Sequence, residues 1–192
     1  MAVRPILVFA YGNPGRGDDA LGPQLLAAIE SANFPLAECQ TDMQLQVEHV
    51  TDLENRERIL FVDADMACVE PYAFGPLEPE KDGSYTSHAM TPGALLHAFR
   101  KVYGSDAPPA YILRIRGYAF ELGQPLGEPA EANLASAIDL VKKLCANSSE
   151  ASWAQFINQT AMQSGSIASC RLPDCGSYTL PTKLEKIKPD SK

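Results

Sequence analysis

The sequence lacks the usual signatures of a hydrolase. It has no Gly-x-Ser-x-Gly elbow, no His-Glu-x-x-His helix and no cysteine in a recognisable Cys–His setting. No Walker lysine follows its glycine loop. It is poor in histidine, with only His49, His88 and His97, so any imidazole chemistry must use one of these three. It is also short of positive charge. Sixteen Lys and Arg stand against 24 Asp and Glu, a net charge of -8, which argues against electrostatic binding to nucleic acid or to an anionic membrane. Long apolar runs are missing too. The longest, from Pro5 to Ala10, is far too short to span a bilayer, and no secretory leader is expected. The five cysteines, Cys39, Cys68, Cys145, Cys170 and Cys175, are odd in number and scattered. Reduced thiols in a cytoplasmic setting are therefore expected. Cys170 and Cys175 are too far apart for the usual close zinc knuckle.

What is present is an alternation of strands and helices. Residues 5–11 form a continuous apolar run, as expected of a strand covered on both faces. The turn-rich Gly12-Asn13-Pro14-Gly15-Arg16-Gly17 follows, and a helix is predicted from about Asp18 or Asp19 to Ser31. A more polar strand is expected over 37–42, a short helix over 46–54, and a second buried strand over 58–63. The Pro- and Gly-rich segment 71–87 is predicted to hold a short edge strand near Tyr72–Phe74. Thr91 and Pro92 open another helix as N-cap and first residue. A strand over 110–116 and a helix over about 129–146 complete the pattern. The fold class is α/β: a three-layer α/β/α sandwich around an open, mostly parallel, mixed sheet of about five strands. One domain is expected over residues 1–147 and a partly flexible C-terminal extension over 148–192, with Trp153 and Phe156 anchoring a short helix.

Ligands of open α/β sheets collect outside the carboxyl ends of the strands. Asp19, Asp63 and His88 fall at such places. If the first strand and the 58–63 strand are neighbours, their ends lie roughly 5 Å apart. Two carboxylates and an imidazole there suit nickel or zinc, with a coordination position left open. Each residue has a plainer reading. Asp18 or Asp19 serves as a helix N-cap, though two acids in tandem need only one cap. Asp63 is a turn former, and Asp65 points the same way by spacing. His88 is a surface residue; His49 competes with it for the imidazole role, whereas His97 fits helix packing. The glycine loop lacks the dinucleotide-binding spacing, and two acids at the helix mouth repel phosphate, which disfavours a nucleotide-binding regulatory domain.

In order along the chain, these residues resemble the hydrogenase maturation endopeptidases. The matching stretches are Gly12-Asn13-Pro14-Gly15-Arg16-Gly17-Asp18-Asp19-Ala20-Leu21-Gly22, then Val62-Asp63-Ala64, then Ser87-His88. The resemblance runs through residues 4–145. Two further stretches, Gln44-Leu45-Gln46-Val47-Glu48-His49 and Arg116-Gly117-Tyr118-Ala119-Phe120-Glu121-Leu122-Gly123, look like the subgroup serving NAD-reducing, bidirectional hydrogenases. The chain departs from other members in carrying Asp42-Met43-Gln44-Leu45 where they have Asp-Gly-Gly-Thr, and Asp19 where Glu is common.

The resemblance implies an endopeptidase that removes the C-terminal extension of a nickel-loaded large-subunit precursor of a nickel–iron hydrogenase. Asp19, Asp63 and His88 would be both metal ligands and catalytic residues, and Asp42, Gln44 and His49 would form a substrate loop. No permanently bound cofactor is implied; the nickel belongs to the substrate, and other divalent metals can take its place. The expected partner is the precursor of an NAD-reducing hydrogenase, without nucleic acid or membrane, and the expected state is a monomer. The competing reading is a non-catalytic nickel-checking chaperone with the same site.

Overall fold

A computed structural model describes residues 3–81 and 90–163. Strands β1 (Ile6–Tyr11), β2 (Ala37–Asp42), β3 (Arg58–Asp65), β4 (Tyr72–Leu77) and β5 (Ala110–Arg116) form one sheet in the order β2-β1-β3-β5-β4. The β1–β2, β1–β3 and β3–β5 pairs are parallel; β4 runs antiparallel to β5 at the edge. The expected three-layer α/β/α sandwich with a mixed five-stranded sheet is the observed architecture.

Strand side chains alternate between the two faces, and both faces are covered, so β1 and β3 read as continuous apolar runs. Ile6, Val8, Ala10, Leu60, Val62, Leu113 and Ile115 point to one core. That core is closed by α1 (Leu21–Ala32), α3 (Glu128–Cys145) and α4 (Glu150–Gln163). Leu7, Phe9, Ile59 and Phe61 point the other way, onto a smaller core. Leu45, a 3-10 helix over Val47–Leu53, and Leu95, Leu96 and Phe99 of α2 (Pro92–Tyr103) cover it.

Local signals account for the helix ends. Thr91 caps α2, its Oγ1 accepting from the Ala94 amide at 3.1 Å, with Pro92 at the first position. α1 begins later than its periodicity suggests. Gly17–Ala20 is a separate 3-10 turn, and α1 takes over at Leu21 with no side-chain cap. β3 runs two residues past Asp63, and β4 runs to Leu77, because both pair with β5 over that length.

Trp153 is fully buried against Tyr111 and Phe74, with ring centroids 4.8 and 6.3 Å away. Its Nε1 donates to the Asn147 carbonyl at 2.9 Å and the Leu144 carbonyl at 3.2 Å, so the indole is buried without losing its polar partner. This anchor ties α4 to the main core. Among the described residues no helix is long and apolar enough to cross a membrane.

The strand order sets the position of the site. From β1 the chain crosses to β2 through α1 on one face, then to β3 on the other side of β1 through the 3-10 helix on the opposite face. The crevice between β1 and β3, at their carboxyl ends, is the topological switch point.

Candidate active site

The glycine loop leaves β1 at this crevice and separates the two tandem acids. Gly12 has φ +142, and a Cβ there would collide with the Asp19 carbonyl, so the loop folds back on itself only with glycine at this position. Asp18 is fully buried. It accepts hydrogen bonds from the amides of Tyr118 (2.7 Å) and Ala119 (3.0 Å) at Oδ2, and of Gly127 (2.9 Å) at Oδ1. Its own amide donates to the Ala119 carbonyl at 2.7 Å. Asp18 therefore holds the β5–α3 loop and is not available for chemistry. Asp19 points back into the glycine loop, where Oδ2 accepts from the Asn13 amide at 3.0 Å. Neither acid caps α1 with its side chain. The N-cap reading is thus replaced by a buried brace and an acid facing the crevice.

Asp63 enters from β3. Its Oδ1 accepts from the Ala64 amide at 2.8 Å, and Tyr11, the last residue of the neighbouring strand, lies beside it. Burial is the main cause that pushes its pKa up to about 7; the nearby Tyr11 hydroxyl and the Ala64 amide oppose the shift, and the charges of Asp19 and Asp65 add to it. The influence of Asp19 places the two carboxylates in one electrostatic neighbourhood. Tyr11 is raised well above the usual phenol value, first by burial and then by the Asp63 charge.

The choice between Asp63 and Asp65 follows from their partners. Asp65 accepts at Oδ1 from the amides of Ala67 (2.6 Å) and Cys68 (3.2 Å), and its Oδ2 pairs with Arg114 at 3.2 Å. Asp65 is the turn former; Asp63 is the acid left facing the crevice.

Asp42, at the end of β2, is next to Tyr11 in register. Its Oδ1 accepts from the Met43 amide at 2.6 Å, and its Oδ2 lies 3.4 Å from His49 Nε2. His49 Nδ1 accepts from the Gln46 amide at 3.0 Å, which fixes the imidazole with its proton on Nε2, toward Asp42. With both nitrogens engaged, His49 orients Asp42 and starts the Val47–Leu53 helix; it does not compete as a free base. Gln44 is exposed between them. His97 lies within α2. His88, with Ser87, and the Cys170–Cys175 pair lie outside the described residues. Among the described residues no cluster of three or more His, Cys, Asp or Glu is placed to hold a metal. Asp19 and Asp63 are thus two hard oxygen donors, short of a full ligand set by themselves.

Sequence reasoning missed Tyr11 and Arg114. Register puts Asp42, Tyr11, Asp63 and Arg114 in one row across β2, β1, β3 and β5. The available signal was a polar residue in an otherwise apolar strand: Tyr11 closes Ile6–Tyr11, and Arg114 interrupts the apolar run inside Ala110–Arg116.

No protein-family model matches the sequence, and no curated protein matches it. Solved structures do share its fold. A [NiFe] hydrogenase maturation protease, HycI, from Thermococcus kodakarensis KOD1 superposes with a TM-score of 0.57 at 20% identity, covering 75% of this chain and 94% of that one. The hydrogenase maturating endopeptidase HybD from E. coli gives 0.56 at 20% identity, covering 71% and 88%. A hydrogenase 2 maturation peptidase from Thaumarchaeota archaeon SCGC_AB-539-E09 gives 0.54 at 24% identity, covering 74% and 99%.

Proposed function

We propose that this chain is an endopeptidase that removes the C-terminal extension of a nickel-loaded hydrogenase large-subunit precursor. The observation that carries this reading is the meeting of Asp19 and Asp63 at the switch point of a fold shared with solved maturation proteases. His88 is assigned as the third ligand from the resemblance alone.

The exposed apolar side chains favour a protein substrate. Met43 and Val47 follow β2, Met66 and Val69 follow β3, and Tyr118 and Leu122 follow β5. All six lie on segments that leave the carboxyl ends of parallel strands, around the acids. Apolar side chains gathered in this way suit contact with a polypeptide. The loops that carry them are braced. Arg116 donates to the carbonyls of Met66 and Cys68, and the Tyr118 hydroxyl donates to Glu70 at 2.8 Å.

The nickel is part of the substrate, and there it supplies Lewis acidity toward the scissile carbonyl or the attacking water. Asp19 and Asp63 hold the loaded centre against the crevice. Asp63, with a pKa near 7, is suited to take a proton from water at neutral pH. Asp42, Gln44 and His49 line the approach as the substrate loop. The partner is assigned as the precursor of an NAD-reducing hydrogenase, the setting as the cytoplasm and the working state as a monomer, with no cofactor of the chain's own.

A processing assay tests this. Nickel-loaded and nickel-free precursors are mixed with the chain, and precursor mass is read. Loss of a C-terminal peptide from the loaded form alone is expected, and Asp63→Asn is expected to abolish it. An unchanged mass of the loaded precursor in the presence of a tightly bound chain would instead support a nickel-checking chaperone. Normal cleavage by Asp63→Asn would remove that residue from the mechanism.

A further inference from the structure

The glycine loop holds Asp19 through a tight turn over Asn13–Arg16. The Asn13 carbonyl accepts from the Arg16 amide at 3.1 Å, and its side-chain Oδ1 accepts from the Gly15 amide at 2.9 Å. Pro14 follows at the position where a preset φ favours such a turn, and an Asn side chain that accepts two residues on reinforces it. The far side of the turn rests on the β5–α3 loop: the Gly123 amide donates to the Gly15 carbonyl at 2.8 Å, and Arg16 Nε donates to the Phe120 carbonyl at 2.7 Å. On the near side the Gly12 amide donates to the Asp42 carbonyl at 3.2 Å. The peptide unit that joins Gly12 to Asn13 is therefore held at both ends. Its N–H donates to Asp19 Oδ2 at 3.0 Å, and no other hydrogen bond reaches that carboxylate among the described residues. The main chain of Asp19 is tied to the same turn, its amide donating to the Arg16 carbonyl at 3.1 Å.

We propose that Asn13 is a positioning residue, whose side chain sets this turn so that its amide holds the Asp19 carboxylate toward the crevice. This rests on the reading of Asp19 as a working acid of the endopeptidase. Without Oδ1 the Gly15 amide loses its acceptor, the turn loosens, and the peptide unit that steers Asp19 is free to rotate. A small misplacement of a reacting group slows the chemical step more than it weakens substrate binding.

The test compares wild type, Asn13→Ala, Asn13→Ser and Asn147→Ala in the precursor-processing assay, with thermal unfolding and amide hydrogen exchange of each. Asn147 is a matched control. Its Oδ1 accepts from the Ser149 amide at 2.9 Å in the same kind of turn, between α3 and α4 and away from the acids. Asn13→Ala is expected to unfold cooperatively and to process with kcat about 10- to 100-fold lower and KM little changed. Its amide at position 13 should exchange about 10-fold faster, as loss of one hydrogen bond requires. Asn13→Ser keeps a side-chain oxygen able to accept from Gly15 and should recover part of kcat. Asn147→Ala should process as wild type does. A folded Asn13→Ala with wild-type kcat, where Asp19→Asn is inactive, would overturn the role of Asn13 and leave the endopeptidase reading standing; so would an equal loss in Asn147→Ala. Wild-type protein that leaves the loaded precursor whole would overturn the endopeptidase reading. Exchange at position 13 then decides by itself whether the Asn13 side chain holds the bond to Asp19, and a rate unchanged by Asn13→Ala would overturn that.

Discussion

The two faces of the sheet end differently at its carboxyl edge. On the face covered by α1, α3 and α4, apolar side chains continue to the top of the strands, through Ala10, Val62 and Ile115. On the α2 face, Leu7, Phe9 and Phe61 give way one step later to the row Asp42, Tyr11, Asp63 and Arg114. Asp18 and Asp19 divide along the same line. Asp18 is buried and fully hydrogen-bonded to a distant loop; Asp19 is turned to the crevice with one backbone donor. One face was filled for stability. The other leaves carboxylates with few hydrogen-bond donors.

The largest effect expected from this contrast is at Asp18. Asp18→Ala leaves three amides without their acceptor in a buried setting, which should cost on the order of 3–5 kcal/mol, measured as a lower midpoint in urea unfolding. A shift below ~1 kcal/mol would mean that the β5–α3 loop is held by something else.

Asp63 should behave in the opposite way. Its folded pKa, about 7, is above the usual carboxylate value, so the folded state holds the proton more tightly than the unfolded chain. Its contribution to stability is full below the unfolded pKa and is lost as pH rises from there through about 7. Asp63→Asn, which cannot ionise, should therefore be more stable than wild type at alkaline pH, by on the order of 2–4 kcal/mol, with the difference shrinking toward pH ~4. Unfolding of metal-free protein across that range reads it; a mutant less stable than wild type at alkaline pH would show that Asp63 is satisfied as an anion.

Asp19→Asn should change stability least, within about 1 kcal/mol, since the amide oxygen can still accept from Asn13. Precursor processing should nevertheless be lost. Wild-type processing by this variant would place Asp19 with Asp18 among the bracing residues and end the contrast between them.

Much of the architecture was legible in the sequence. Continuous apolar runs marked β1 and β3, and Thr91-Pro92 marked the start of α2, because these signals depend on neighbours along the chain. The tandem acids were visible, but not which of them was free. Asp18 is satisfied by Tyr118, Ala119 and Gly127, about a hundred residues away, and no local pattern reports that. The same holds for Asp63 against Asp65. The two share a face, and only the approach of Arg114 and the turn at Ala67 and Cys68 separate their roles.

The sequence by itself determined the α/β class, the glycine loop and the acids available to it, since hydrophobic period, turn chemistry and residue type are local properties. The tertiary structure decided which acids face the crevice, that His49 is spent on Asp42 and Gln46, and that Tyr11 stands beside Asp63. Those facts depend on strand order and register, which bring distant segments within hydrogen-bonding distance and set how much water each carboxylate loses.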